Sequence, residues 1–591
     1  MRSFSWIPTF IPSALGIFSV FCPIVSSSVL AQITPDNTLG TERSILLPGQ
    51  MVQDSATDLI QGGAARGSNL FHSFLEFNVN DGQRVYFDNP TGVETIFSRV
   101  TGSDISDILG TLGVNGGADL FFLNPNGIIF GPNSRLDIRG SFTASTGSAF
   151  TFSDGSEFRA VDPNAPPLLT VGITPGIQYG QNYQGDIDSA GMLAVGEGQA
   201  LILHGRNITQ TGNLKAPGGL VGLFGQTVGL LDNANIDVSG LTGGGTVLLG
   251  GTIQGANPDL NALRTYISPE VSIKADALEA GNGGTIAVWS DEVTGFYGNI
   301  SARGAIGMGM EVPEAQGGFV EVSSRDHLIF RGSVDTATPF GQSGVLLLDP
   351  TTITIASGAG DSAADGTDRF AGDVSGLAGQ ILSAPLSQIN DLAPTTIYES
   401  ELEGLSGNSD VILQATDGIT IADLADDELL FQGGSGSIAF IADANADGVG
   451  DVVMLDLGDA LKTNGRNLTI SGVNLTLGTI DTSVQIEEVL TTINVDAGGP
   501  TPAVGTSGPA SFTFSVPVGV GVISDLDVRF SAAHIYDEDL DVSLTSPLGS
   551  SVALFSRVGG WGRNFQDTVL NDEALTPITF GSAPFNGSFS P

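Results

Sequence analysis

A chain of 591 residues is too long for one ordinary core unless it is a repeat array that grows in one dimension. Glycine, at 82 residues, is about twice its usual share, and charged residues are only 14% against a usual ~25%; this excludes coiled coils and, without a Gly-X-Y period, collagen. The net charge is −43 and the only lysines are Lys215, Lys274 and Lys462, so no basic stripe exists for nucleic acid and an anionic membrane surface is a poor partner.

The first segment, residues 1–31, reads as a secretory signal. Arg2 is followed by an apolar run from Phe4 to Val25, and Val29-Leu-Ala31 offers small residues for cleavage between Ala31 and Gln32. Pro8, Pro12 and Pro23 interrupt the run and argue against a permanent membrane helix. Cleavage there removes Cys22, leaving a cysteine-free chain that crosses an oxidising compartment without disulfide errors. No later stretch reaches about 18 uninterrupted apolar residues.

Residues 32–200 alternate short apolar runs with tight turns. Ala118-Asp-Leu-Phe-Phe-Leu123 leads into Asn124-Pro125-Asn126-Gly127 and then Ile128-Ile-Phe130. Asn and Gly supply positive-φ positions and Pro presets the turn, so the pattern predicts strand, turn, strand. Asn124, Asn126 and Gly127 would fix that turn while Ile128 and Phe130 fill the interior. Asn89, Pro90 and Gly92 form an earlier turn of related type. Phe71, Phe74, Phe77, Phe121 and Phe122 read as stacked core.

These residues, with Phe87-Asp-Asn-Pro-Thr-Gly-Val93, Ser98-Arg-Val-Thr-Gly102, Ile108-Leu-Gly-Thr-Leu-Gly-Val-Asn-Gly116 and Gly140-Ser-Phe-Thr-Ala-Ser145, resemble the N-terminal domain of filamentous haemagglutinins of the cyanobacterial type. That family comprises exoproteins exported by two-partner secretion. The resemblance implies an outer-membrane β-barrel transporter as partner, and Asn124–Ile128 within the domain recognised for secretion.

From 201 to 350 an internal repeat appears. Gly218-Gly-Leu-Val-Gly-Leu-Phe leads to Asn235-Ile-Asp-Val-Ser-Gly240, Gly283-Gly-Thr-Ile-Ala-Val-Trp to Asn299-Ile-Ser-Ala-Arg-Gly304, and Gly317-Gly-Phe-Val-Glu-Val-Ser to Ser333-Val-Asp-Thr336; the second strand begins about 16 residues after the glycine pair. Gly243-Gly-Gly-Thr-Val-Leu-Leu249 is a partial further copy. Units of about 20–25 residues made of short strands predict a parallel β-helix rather than a sandwich, whose hairpin signals are sparse here. Residues 351–395, rich in Gly, Ala, Ser and Asp, are a linker or an insertion with a short helix near Val374–Leu382. Strand-like runs resume over 396–495, read as further solenoid.

Within that stretch Asp443-Ala-Asn445-Ala-Asp447-Gly-Val-Gly-Asp451 has the alternating oxygens and glycine of a calcium loop. Met454 stands where an EF-hand would place its bidentate Glu, so a plain Asp/Asn/Gly turn is the competing reading. Residues 496–511 are a Gly/Pro linker. Residues 512–591 resemble the P (Homo B) domain of proprotein convertases, a jelly-roll sandwich that commonly binds calcium, through His534-Ile-Tyr-Asp-Glu-Asp-Leu-Asp-Val-Ser-Leu-Thr-Ser-Pro-Leu-Gly549 and Phe565-Gln-Asp-Thr-Val-Leu-Asn-Asp-Glu-Ala574. The family's last strands would follow Pro591, so this resemblance predicts a partial sandwich with an open edge.

The sequence thus predicts an all-β chain, a right-handed parallel β-helix followed by a partial jelly-roll sandwich. No catalytic residue is assigned: Gly505-Thr-Ser507 lies in the linker, and His72, His204, His327 and His534 make no metal-ligand spacing. No cofactor is required, and calcium is the ligand the acidic loops suit. The resemblance implies a secreted or surface-exposed adhesin or structural protein with a glycan or protein ligand. A carbohydrate-active β-helix enzyme and a calcium-dependent surface-layer component are the alternatives.

Overall fold

The computed structural model describes residues 33–164, 176–178, 185–306, 315–338, 341–357, 374–386, 389, 395–424, 426–484, 527–546, 551–572 and 574–591. The signal-cleavage pair Ala31 and Gln32, Cys22, and the Gly/Pro linker with Ser507 lie outside them. Two units are distinct, 1–483 and 484–591.

The first unit is a parallel β-helix. Its longest sheet has 15 strands and runs from Ile33–Pro35 through Asn69–Phe77, Asp119–Leu123 and Thr285–Val288 to Leu468–Ser471. An 11-stranded sheet from Ser44–Val52 to Ser333–Asp335 and an 8-stranded sheet from Ser106–Ile108 to His327–Phe330 form two further faces. Past residue 350 these give way to sheets built on Thr352–Ala356 and Glu428–Leu430.

Register is kept from rung to rung, so like residues stack into ladders. Val221, Val247, Ile286, Val320, Leu346 and Val411 follow one another in the long sheet, and Ile236, Ile273, Ile300 and Val334 in the 11-stranded one. All are buried in one continuous apolar interior. Each rung supplies the backbone partners its neighbour lacks, which is why no rung is stable alone. At the start, Ser44–Val52 folds back on Ser55–Gly62 as an antiparallel hairpin and Ile33–Pro35 pairs antiparallel with Asn69–Phe77, changing the pairing where the stack begins.

The predicted glycine pairs mark one corner. The carbonyl of Gly219 accepts from Thr246 N–H at 2.8 Å, that of Gly245 from Thr285 at 3.0 Å, that of Gly284 from Phe319 at 3.0 Å and that of Gly318 from Val345 at 2.8 Å. A Cβ on Gly284 would lie 2.1 Å from the Gly245 oxygen, and one on Gly318 2.4 Å from that of Gly284. Only glycine admits so close a stacking of corners.

Each repeat holds a third strand the sequence pattern did not reveal: Thr227–Leu230, Val293–Phe296 and His327–Phe330 lie between the two predicted strands of each copy. Rungs are stacked 20 residues apart at Ala200/Leu220 and 26 at Leu220/Thr246, with 39 at Thr246/Thr285 where a loop is inserted. The helix within 351–395 is real, Val374–Ser383, and packs as an insertion: Ile381 is buried with Tyr266, Val293, Tyr297 and Ile329 on the outside of the 8-stranded sheet.

Among the described residues, the second unit holds two small sheets. Val528–Ala532, Phe565–Leu570 and Phe585–Phe589 form one, Asp541–Thr545 and Ser551–Ser556 the other. Phe555, Phe565 and Phe585 stack at 4.8 and 4.7 Å in its core.

Candidate secretion-domain site

The Asn124–Gly127 turn sits at a corner of the β-helix, between Asp119–Leu123 on the long sheet and Ile128–Phe130 on the 8-stranded sheet. Asn124 is fully buried. Its Nδ2 donates to the Asp104 carbonyl at 3.0 Å and to Ser106 Oγ at 2.9 Å, both on the preceding rung. Its Oδ1 accepts from the Asn126 backbone N–H and from Asn126 Nδ2, each at 3.0 Å. Asn126 Nδ2 also reaches the Gly102 carbonyl at 2.8 Å. Towards the following rung, Asn124 N–H donates to Ser145 O and Ile128 N–H to Asp186 O, both at 3.0 Å. Gly127 has φ +133°, and a Cβ there would lie 3.2 Å from the Asp186 oxygen. The turn therefore ties three rungs together. Ile128 and Phe130 point into the interior.

The Asn89-Pro90 turn works similarly at another corner. Asn89 Nδ2 donates to Val93 O at 2.9 Å, and Oδ1 accepts the N–H groups of Gly117 and Ala118 on the next rung at 3.0 and 3.2 Å. Val93 N–H donates to Pro90 O at 3.0 Å, and Gly92 takes φ +88°.

The outer face of the same rungs carries an aromatic ladder. Phe71, Phe97 and Phe121 are in register on adjacent strands, with ring centroids 5.1 Å apart at each step. A hairpin of Ala149–Thr151 and Glu157–Arg159 covers it with Phe150 and Phe158, next to Phe152. Phe74, Phe77 and Phe122 face the interior instead. The expected stacked core is thus two cores, one on each side of the sheet.

Arg99, within a quoted motif but given no role from sequence, is fully buried beside this ladder. Its guanidinium donates to Ser73 Oγ at 3.0 Å, Thr38 Oγ1 at 3.0 Å, Arg159 O at 2.6 Å and Asn164 O at 2.8 Å, and lies 4.0 Å over the Phe158 ring. Burial pulls its pKa down to about 10, with the charge of Asp36 opposing. An arginine in a strand otherwise rich in apolar residues was the available signal; its partners are mostly backbone carbonyls and hydroxyls, which leave no sequence mark.

Asp443, Asn445, Asp447 and Asp451 turn largely onto backbone. Asp443 Oδ1 accepts from Gly448 N–H at 3.0 Å, Asp447 Oδ1 from Val449 at 2.9 Å and Asp451 Oδ1 from Asn474 at 3.0 Å. Asn445 Nδ2 donates to Asp447 Oδ2 at 3.0 Å. In the second unit, buried Asp537 accepts from Asn564 N–H at 2.9 Å and exposed Asp541 from Ser556 Oγ at 2.6 Å.

The class this geometry defines is a parallel β-helix whose first rungs are locked by asparagine turns and covered by an aromatic hairpin. Residues 31–316 match the family model described as the TPS secretion domain, and those residues are the secretion domain of a two-partner-secretion exoprotein. The match runs beyond the Asn124 region into the repeats. The HMW1 secretion domain from Haemophilus influenzae is similar at 16% identity and a TM-score of 0.37, covering 74% of this chain and 99% of that one. A filamentous hemagglutinin secretion domain is similar at 13% identity and a TM-score of 0.24, covering 76% and 99%. No curated protein matches.

Proposed function

We propose that this chain is the exported cargo of a two-partner system. An outer-membrane β-barrel transporter engages its N-terminal rungs, and the protein then acts outside the cell or on its surface as an adhesin or structural element. The secretion-domain match over residues 31–316 carries the reading. The architecture supports it physically. Rungs that contact only their nearest neighbours can form one after another as a chain emerges, so folding outside the cell would draw the remainder through. The Asn124 and Asn89 turns supply register in the first rungs to emerge.

The test is site-specific photo-crosslinking in cells that carry the cognate barrel. Met51 and Leu75, both exposed on the N-terminal rungs, would each be replaced by a photoreactive residue, with exposed Leu455 as the comparison position. Adducts to the barrel from the two N-terminal positions in excess of the Leu455 position support recognition by these rungs. Absence of any barrel adduct, or equal yield from Leu455, would sink it.

A further inference from the structure

Sequence pattern pointed to residues 443–451 for calcium; a separate set of carboxylates converges at a corner of the later rungs. Gly418–Ile421 and Glu428–Leu430 on one rung stack under Val452–Met454 and Ala460–Lys462 on the next, with Ile421 opposite Met454 and Glu428 opposite Ala460. Asp423 and Asp456 therefore occupy equivalent places two residues past Ile421 and Met454. Asp459 precedes Ala460 on the same corner. Backbone bonds hold the corner on both sides: Leu455 N–H to Ile421 O at 2.9 Å, Ala460 N–H to Asp427 O at 2.9 Å and Thr479 N–H to Asp459 O at 3.1 Å.

A carboxylate oxygen from each of Asp423, Asp456 and Asp459 lies within 4.8 Å of the other two. Two oxygens sharing one calcium ion sit at most about 5 Å apart, so the spacing fits. A second observation is independent of the clustering. Asp459 is fully buried, its Oδ2 accepts from Leu424 N–H at 3.1 Å, and its Oδ1 is buried with no hydrogen-bond partner. A buried carboxylate oxygen without a donor is costly unless a cation meets it. None of the described ion pairs includes any of the three; Lys462 is taken by Glu428. Burial first, then the charges of Asp456, Asp423 and Asp427, pushes the Asp459 carboxyl above its ordinary value against the Leu424 hydrogen bond.

We propose that Asp423, Asp456 and Asp459 form a divalent-cation site, with calcium as its ion, that clamps successive rungs at this corner. Asp423 and Asp456 are exposed and leave room for water to complete the shell. Magnesium, which demands a near-ideal octahedron, suits a shell drawn from two loops less well. Three carboxylates on loops place the affinity in the weak extracellular class, with a Kd of about 0.1–1 mM.

The experiment is isothermal titration of the chelator-treated full chain with calcium chloride, up to about 10 mM, well above that affinity range. Asp459→Asn and Asp456→Asn would be compared with a double control, Asp443→Asn with Asp447→Asn, and circular dichroism would verify that each variant folds. The wild type should bind calcium, one equivalent should vanish in Asp456→Asn and in Asp459→Asn, and the double control should retain that equivalent. Asp456 is exposed, so its variant still decides the matter if Asp459→Asn fails to fold. No calcium uptake by the wild type, or an undiminished stoichiometry in Asp456→Asn, overturns the proposal.

Discussion

Replacing Asn124 by alanine tests the view that the Asn-Pro-Asn-Gly turn is a register clamp. The substitution deletes four hydrogen bonds, two donated to Asp104 O and Ser106 Oγ and two accepted from Asn126. Asp104 is exposed, so water can replace its bond, but Ser106 is fully buried and loses its donor outright. The Asn126 amide also loses its acceptor. Two orphaned groups at about 1–3 kcal/mol each give a loss of about 3 kcal/mol, or roughly a 100-fold rise in local opening. Because a solenoid couples nearest neighbours, the loss should be confined to the adjoining rungs. Hydrogen exchange on the full chain reads this directly. Peptides spanning 102–131 and 141–146 should exchange roughly 100-fold faster, while a peptide spanning 438–471 stays unchanged. Unaltered protection over 102–131, or an equal loss throughout the stack, would refute the clamp.

Three further outcomes follow from single residues. Gly284→Ala places a methyl 2.1 Å from the Gly245 carbonyl and should cost about 3 kcal/mol, whereas Gly117→Ala, with open space around its Cβ, should be nearly neutral; equal melting temperatures for the two variants would contradict the glycine corner. Glu321 is buried on the outside of the long sheet, with Oε2 accepting from Gln254 N–H at 2.8 Å, and burial with the nearby charge of Asp349 pushes its pKa up to about 7 against that bond. Its folded pKa exceeds its unfolded value of 4.5, so its contribution to stability is fully present below pH 4.5 and is lost as pH rises through 7. Glu321→Gln should therefore raise the melting temperature at pH 8, by the equivalent of about 3 kcal/mol, and change it little at pH 4.5; an equal shift at both pH values would count against it. His72, buried with its pKa pulled down to about 3 by desolvation, works in the opposite sense: it binds a proton less readily folded than unfolded, so between pH 6.5 and 3 it makes the N-terminal rungs more acid-labile, and His72→Gln should flatten the pH dependence of their unfolding.

Much of this architecture was legible because local chemistry and global register coincide. A glycine pair followed by an alternating run can stack only where corners nearly touch, so Gly244-Gly245, Gly283-Gly284 and Gly317-Gly318 announced the corner and the two flanking strands. The intervening strands escaped notice. Val293–Phe296 and Thr227–Leu230 contain Gly295 and Gly229, which lie under Ile381 and Leu382 of the inserted helix, and a glycine in a short run reads as a turn until the covering element is known. The Asn124 turn was recognisable from its four residues. Its partners Gly102, Asp104 and Ser106 lie about a rung away and became identifiable only with the stack. Asp443–Asp451 shows the converse: alternating oxygens suit a cation and a backbone turn equally, and the structure turns most of them onto amides. Asp423 and Asp459, separated by more than thirty positions, meet only because one rung lies over another.

The central claim is that the N-terminal β-helix directs export through a partner barrel. It is tested most directly by the secreted fraction in a Gram-negative host with and without the cognate barrel, for the wild type and for a chain with Asn124–Gly127 replaced by alanines. The account predicts barrel-dependent appearance of the wild type in the medium and loss of that export in the variant. Retention of the wild type in the periplasm beside a working barrel would contradict it.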